Sequence, residues 1–331
     1  MSVDVNTSKL SDTAQILVSV INYRTAELTI QCVQSVLDDM QGIEGRVVIV
    51  DNASNDGSVE KLRTWISSLE QKEQVNLLEA TSNSGFSGGH NQGILSQSAD
   101  FYLILNSDAV LRPGFLSSML NAAAQNPTIG LFAPKIEHDT GEVQTSCFRF
   151  HSPLSELARG AESGPVSKLL RTREVALAMP PSPDSIEWAS FACILLRRET
   201  WSDTGPMDTG YFLYFEDVEY CWRARKAGWR IAYVQNAVGV HFRGGSGPVK
   251  SLAQERKRLP RYYYASRTRM LYQFYGWFGL VTANLCWCFG RVVARLRLLV
   301  GKSIPQSNRS EWRDIWTNVF SPLGNNYAKK D

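Results

Sequence analysis

The sequence predicts an α/β fold organised around a parallel sheet. Three observations carry that prediction. Short apolar runs alternate with helix-period patterns through about the first 110 residues, most runs end in a cluster of polar residues, and no repeat or low-complexity tract interrupts the alternation. With 331 residues, 44% of them hydrophobic, the chain can bury one large core or two modest ones.

Residues 16–21 read as the first strand, and 27–40 as a helix with Leu28, Cys32, Val36 and Leu37 on its apolar face. Residues 47–50 form a second strand, 51–57 a polar loop, and a helix follows near 59–69. Residues 75–78 are a third strand. A glycine-rich loop at 83–89 opens a helix that runs to about residue 98, and 101–105 is the fourth strand. Residues 137–185 are less regular: 152–170 suit a mobile lid or helical flap, and the proline-rich 179–184 is a linker. Order returns at 186–197. The aromatic segment 210–215 then delivers Glu216 and Asp217 to the start of a helical run that Gly228 ends, and an apolar strand leads to His241.

Composition narrows the classes. Net charge is +3, but residues 251–331 hold 14 Lys and Arg against 4 Asp and Glu, while residues 1–250 hold 21 against 28. An acidic body with a basic, aromatic tail points the tail toward an anionic surface. Six cysteines without a CxxC pair read as reduced, buried thiols of a cytoplasmic protein, and the first residues lack the basic start and apolar core of a signal peptide. A dehydrogenase is disfavoured because no GxGxxG follows the first strand. Nucleic-acid binding is disfavoured because no stacking sheet or recognisable module is present.

The polar clusters carry the chemistry. Asn22, Tyr23 and Arg24 follow the first strand, Asp51 and Asn52 the second, Asn83 the third, and Asn106, Ser107 and Asp108 the fourth. Gathered at one sheet edge, they form a cleft able to hold a nucleotide, in which Asp51 can accept from a base N–H or a ribose hydroxyl. Gly85 and Gly89 open a helix whose backbone N–H groups can face an anion. Asp108 can hold a hard divalent cation, Mg²⁺ or Mn²⁺, with His241 as second ligand, and Arg243 can pair with a phosphate. Glu216 and Asp217 sit where the helix dipole keeps a carboxylate ionised and ready to take a proton from a sugar hydroxyl.

On these pieces the sequence resembles the family 2 inverting glycosyltransferases of the GT-A fold, most closely the bacterial rhamnosyltransferase-like branch. The likeness runs from about Ile16 to Ser246 and rests on Val18 to Tyr23, Val48 to Ser54, the loop at 83–93, Leu105 to Asp108, Tyr211 to Ala227 and His241 to Ser246. It implies a nucleotide-binding parallel α/β part at about 14–110 fused to a mixed-sheet acceptor part at 111–250, with a helical basic C-terminal tail at 251–331. It also implies that Asp51 reads a pyrimidine base, Asp108 carries the metal and Asp217 is the general base. The donor would be a dTDP- or UDP-sugar and the acceptor a saccharide or lipid-linked hydroxyl. Asn106 stands where the family has its first acid, which motivates an alternative: a catalytically inactive nucleotide-sugar-binding or scaffold protein. Ser190 and Phe191 likewise replace a usual glycine.

In the tail, the 21 residues 270–290 are uncharged but crowded with Tyr and Trp, and arginines flank them on both sides. An in-plane anchor on the anionic inner face of the cytoplasmic membrane fits this pattern better than a span. A helical hairpin packed on the body is the other reading.

Overall fold

A computed structural model describes residues 14–242, 249–301 and 303–324. In chain order the elements are β1 (Ala14–Asn22), α1 (Ala26–Asp39), β2 (Gly45–Asp51), α2 (Ser58–Ser67), β3 (Val75–Glu79), α3 (Gly85–Leu95), β4 (Ala99–Asn106), β5 (Ala109–Leu111), α4 (Phe115–Gln125) and β6 (Ile129–Glu137). There follow β7 (Cys147–Phe148), α5 (Pro153–Ala161), α6 (Gly164–Leu169), β8 (Trp188–Ala189), β9 (Cys193–Arg197), α7 (Arg198–Thr204), α8 (Glu216–Lys226), β10 (Arg230–His241), α9 (Val249–Gln254), α10 (Arg261–Arg295) and α11 (Glu311–Asp314).

Eight strands form one sheet in the order β3-β2-β1-β4-β9-β6-β10-β5, and β7 pairs with β8 apart from it. The first four are mutually parallel, whereas β9 runs antiparallel to both β4 and β6. The expected parallel half joined to a mixed half is therefore what the chain builds. Strand order reverses between β1 and β4, which opens a crevice at their carboxyl ends. Along β1, Ile16, Val18 and Val20 enter one apolar core while Leu17 enters the other, because alternate side chains point to opposite faces. Both faces are covered, so the strand reads as a continuous apolar run.

Two expectations need correction. Residues 152–170 are helical, as the flap reading has it, but residues 152–161 are packed down rather than a mobile lid: Ser152 caps α5 through a reciprocal bond with Ser155, and α5 packs tightly on α10. A Cβ on Gly160 would lie 2.3 Å from the Trp287 carbonyl oxygen, so only glycine permits that approach. The tail is likewise not simply appended. Met270, Leu271, Leu280 and Ala283 of α10 belong to the same buried cluster as Leu17 and Ile104 of the sheet, which favours the packed alternative for that face of the helix. Arg267 is consumed by Glu156 at 2.8 Å, Arg269 by Asp208 and Arg258 by Asp314. The four cysteines of the body, Cys32, Cys147, Cys193 and Cys221, are buried free thiols; Cys286 and Cys288 on α10 are free and half-buried.

Candidate active site

The carboxyl ends of the strands meet over a cavity of about 570 Å³ lined by Asn52, Asn83, Gly85, Asn106, Asp108, Glu216, Asp217 and His241, among others. Sheet register brings these together. Ile21 lies opposite Asn106 across the β1–β4 pair, so the polar ends of both strands open at one level. β10 runs antiparallel to β5 with His241 opposite Ala109, and the Phe242 N–H donates to the Asp108 carbonyl at 2.8 Å. His241 Nε2 consequently sits 3.1 Å from Asp108 Oδ1, and 3.4 Å from Asn106 Nδ2.

The Asp108–His241 pair suits a cation. A carboxylate oxygen and an imidazole nitrogen converge at the cavity wall, and both are atoms that can ligate a divalent ion. No group of three His, Cys, Asp or Glu is clustered for a metal among the described residues. Two protein ligands would leave the other positions of a divalent ion to water or a bound ligand. Asn106 adds no anionic oxygen.

The second pair sits where α8 begins. Tyr214 (φ 71°) and Phe215 (φ 69°) both take left-handed backbone conformations, each costing about 1–3 kcal/mol for a bulky residue. Ring contacts hold the turn. Tyr214 stacks parallel to Tyr262, and Phe215 packs on Tyr263 and His151. Beneath it, Arg269 of α10 grips both oxygens of Asp208, while Gln273 accepts from Tyr211 and donates to Asp208. This turn places Glu216 and Asp217 at the cavity.

Their electrostatics correct the sequence expectation. Burial raises the Asp217 carboxyl to about 6, against the backbone N–H groups of Val218 and Phe191 that favour its ionised form. Burial, then the neighbouring Asp217 charge, pushes Glu216 well above the carboxylate range, and its Oε2 is buried without a partner. The helix dipole contributes about 0.3–1 kcal/mol at such a site, under one pKa unit, so desolvation outweighs it. Glu219, the third acid of the first turn, is committed to Arg223 and is structural.

Other expected residues fall differently. Asp51 does not line the main cavity; it borders a second hollow of about 320 Å³. Its oxygens accept from Asn22 Nδ2 at 2.6 Å, Ser54 Oγ at 2.6 Å and the Ser54 N–H at 3.0 Å. That leaves roughly one acceptor site of about four for a ligand. Asn22 is buried and ties β1 to Asp51 and Thr29. Arg24 lies outside the main cavity, over the Tyr23 ring, with Nε on the Ser54 carbonyl.

The glycine loop is also corrected. The Ser84, Gly85 and Phe86 N–H groups donate to Asn52 Oδ1, Asn83 Oδ1 and the Phe212 carbonyl, so these donors do not face an anion. Gly85, at φ +71°, is required because a Cβ would strike the Phe212 carbonyl at 2.2 Å; at Gly89 one would meet Ile21 at 2.7 Å. Arg243 and the end of its motif lie outside the described residues.

Sequence reasoning missed several contributors. Gln144 is buried and donates to the His241 carbonyl at 2.9 Å, fixing the end of β10. It sits in an irregular stretch with no signal to find it. Pro260 and Tyr262 bring the start of α10 into the cavity wall. The run Tyr262-Tyr263-Tyr264 at a helix start was the available sign. His90 lines the cavity as a neutral imidazole, since burial lowers it to about 3, and its Nδ1 meets Ser19 Oγ at 2.9 Å.

Known proteins agree with this fold. The chain superposes on a mannosyltransferase from Pyrobaculum calidifontis, solved with GDP-Man and Mn²⁺, at a TM-score of 0.52 and 15% identity over 97% of this chain and 89% of that one. It also superposes on GalNAc-T7, solved with UDP, GalNAc and Mn²⁺, at a TM-score of 0.58 and 12% identity over 94% of this chain and 55% of that one. The fold is that of the GT-A glycosyltransferases.

Residues 16–165 match the profile described as Glycosyl transferase family 2. The chain is 28% identical over 283 residues to the N-acetylglucosaminyl-diphospho-decaprenol L-rhamnosyltransferase of Mycobacterium tuberculosis, covering 80% of this chain and 86% of that protein. It is 22% identical over 245 residues to the low-salt glycan biosynthesis hexosyltransferase Agl10 of Haloferax volcanii, covering 71% and 70%.

Proposed function

We propose that the protein is an inverting, divalent-cation-dependent glycosyltransferase that moves a sugar, rhamnose in the first instance, from a dTDP- or UDP-sugar to a hydroxyl of a polyprenyl-linked saccharide. It would act in cell-surface polysaccharide synthesis at the cytoplasmic face of the membrane. The observation that carries this reading is a single cavity bordered by both the Asp108–His241 pair and the Glu216–Asp217 pair. The donor would lie over residues 14–110 and the acceptor over 111–250.

The Asp217 carboxylate takes the acceptor O–H proton as that oxygen bonds the anomeric carbon from the face opposite the leaving group. The anomeric C–O bond breaks, and its electron pair leaves with the nucleoside diphosphate. A cation held by Asp108 and His241 would neutralise charge on that leaving group. Asp51 retains about one acceptor site for a base or ribose, and Asn106 borders the cavity, while Asn52 and Asn83 brace the glycine loop beneath it. A positioned base contributes about 10²–10⁴-fold.

The test is thermal stabilisation by a panel of nucleotide sugars with and without Mg²⁺ or Mn²⁺, followed by transfer to a synthetic prenyl-diphosphate N-acetylglucosamine. Stabilisation by dTDP-rhamnose with transfer supports the proposal. Stabilisation without transfer to any glycolipid supports an inactive binding protein, the reading that Asn106 in place of an acid favours.

A further inference from the structure

The second half of α10 is largely apolar, but only one side is covered. Gly276 (φ 65°, ψ −167°) breaks the helix. Beyond it Leu280, Ala283, Trp287, Gly290 and Ala294 are buried, and a Cβ on Gly290 would lie 2.5 Å from the Leu157 carbonyl oxygen of α5. On the other side Phe278, Leu285, Phe289, Val292, Leu296 and Leu299 are exposed, Phe278 by 85% and Leu299 by 82%. They recur at intervals of seven, four, three, four and three residues, so they form one stripe along the helix and the 3₁₀ turn that continues it.

We infer that this stripe lies in the plane of an anionic lipid surface. A span is disfavoured by packing: the inner face is tied to α5, and Arg267 on the same helix is buried against Glu156. Charge decides between lipid and a second copy of the chain. Residues 261–300 contain no Asp or Glu, and exposed Arg295 sits beside Leu296. A second copy of this helix would bring further arginine and no Asp or Glu from residues 261–300, whereas anionic headgroups supply the opposite charge. Arg291 and Arg297 bond the Gly160 and Glu162 carbonyls, which leads the surface on to exposed Lys168 and Leu169 of α6.

The same α10 begins at the cavity, where Tyr262 forms part of the wall. Docking the stripe therefore brings an acceptor-side wall to the bilayer. That consequence rests on the proposed lipid-linked acceptor, while the surface itself does not.

The experiment is co-sedimentation of the full chain with phosphatidylglycerol-containing vesicles and with pure phosphatidylcholine vesicles. Binding is expected to the anionic vesicles, with release at high salt. Phe289→Glu with Leu296→Glu should lower partitioning about tenfold or more, with circular dichroism and Tm confirming the fold. Arg295→Glu, which leaves the stripe intact, should lower it only for anionic vesicles. No binding by the wild type, or equal binding by the double variant, overturns the inference. So does a wild-type dimer that ignores vesicles and becomes monomeric in the double variant. Calorimetric binding of dTDP to the same proteins reports separately on the transferase reading.

Discussion

His241 Nε2 lies 3.1 Å from Asp108 Oδ1 although 133 residues separate them. The contact follows from antiparallel pairing of β10 with β5, which places His241 beside the residue after Asp108. Two donors of different hardness thus meet at the cavity wall, and the cation hypothesis stands on them.

We predict that Asp108→Ala abolishes the cation dependence of dTDP or UDP binding in calorimetry, because the diphosphate loses the anchored charge that neutralises it. His241→Ala should weaken the same binding less severely, since the carboxylate supplies the charge. Unchanged affinity with unchanged Mg²⁺ or Mn²⁺ dependence in Asp108→Ala would remove the metal assignment.

Asp217→Asn is expected to lower turnover by about 10²–10⁴-fold while donor affinity stays within a few-fold. With the folded carboxyl raised to about 6, wild-type transfer should rise with pH through about 6, and the variant should lack that limb. Stability moves the other way. A raised carboxyl favours the folded state below the unfolded value of about 3.9 and loses that contribution as pH climbs through 6. Asp217→Asn should therefore raise Tm above wild type at pH 7 to 8, with the two converging near pH 4. Glu216→Gln should cost less activity; if it abolished transfer while Asp217→Asn remained active, the base would be Glu216.

The Arg269–Asp208 clamp predicts that the C-terminal helix is needed to hold the turn before Glu216 and Asp217. Arg269→Met removes two charge-assisted bonds on the segment leading to Glu216 and should lower stability by about 1–3 kcal/mol. Ending the chain near residue 247 should be more severe. It would uncover the core around Met270, Leu271, Leu280 and Ala283 and release the strained Tyr214–Phe215 turn from Tyr262 and Tyr263. Denaturant unfolding checks both. A truncated chain that unfolds as cooperatively as the full one would refute the coupling.

The first four strands were legible within a residue or two, as at residues 16–21 inside Ala14–Asn22 and 101–105 inside Ala99–Asn106. Their alternation with helices, and a polar cluster beyond nearly every strand, are local signals that survive folding because period and turn chemistry act over a few residues. The glycine loop was placed correctly but misread. Composition could show that a side chain was excluded at Gly85, yet not that the excluding atom was the Phe212 carbonyl rather than a phosphate.

Local order, the sheet edge that carries the site and the carboxylate pair at a helix start were set by the sequence alone, since each depends on neighbours along the chain. Tertiary structure alone decided that Asp108 meets His241, that Asn22 and Ser54 take most of the acceptor capacity of Asp51, and that Asp217 rises to about 6 instead of being held down by the helix dipole. It also decided that one face of the tail belongs to the core while the other is left outward. Register between distant strands and desolvation by surrounding atoms are properties of the packed molecule, and no stretch of sequence contains them.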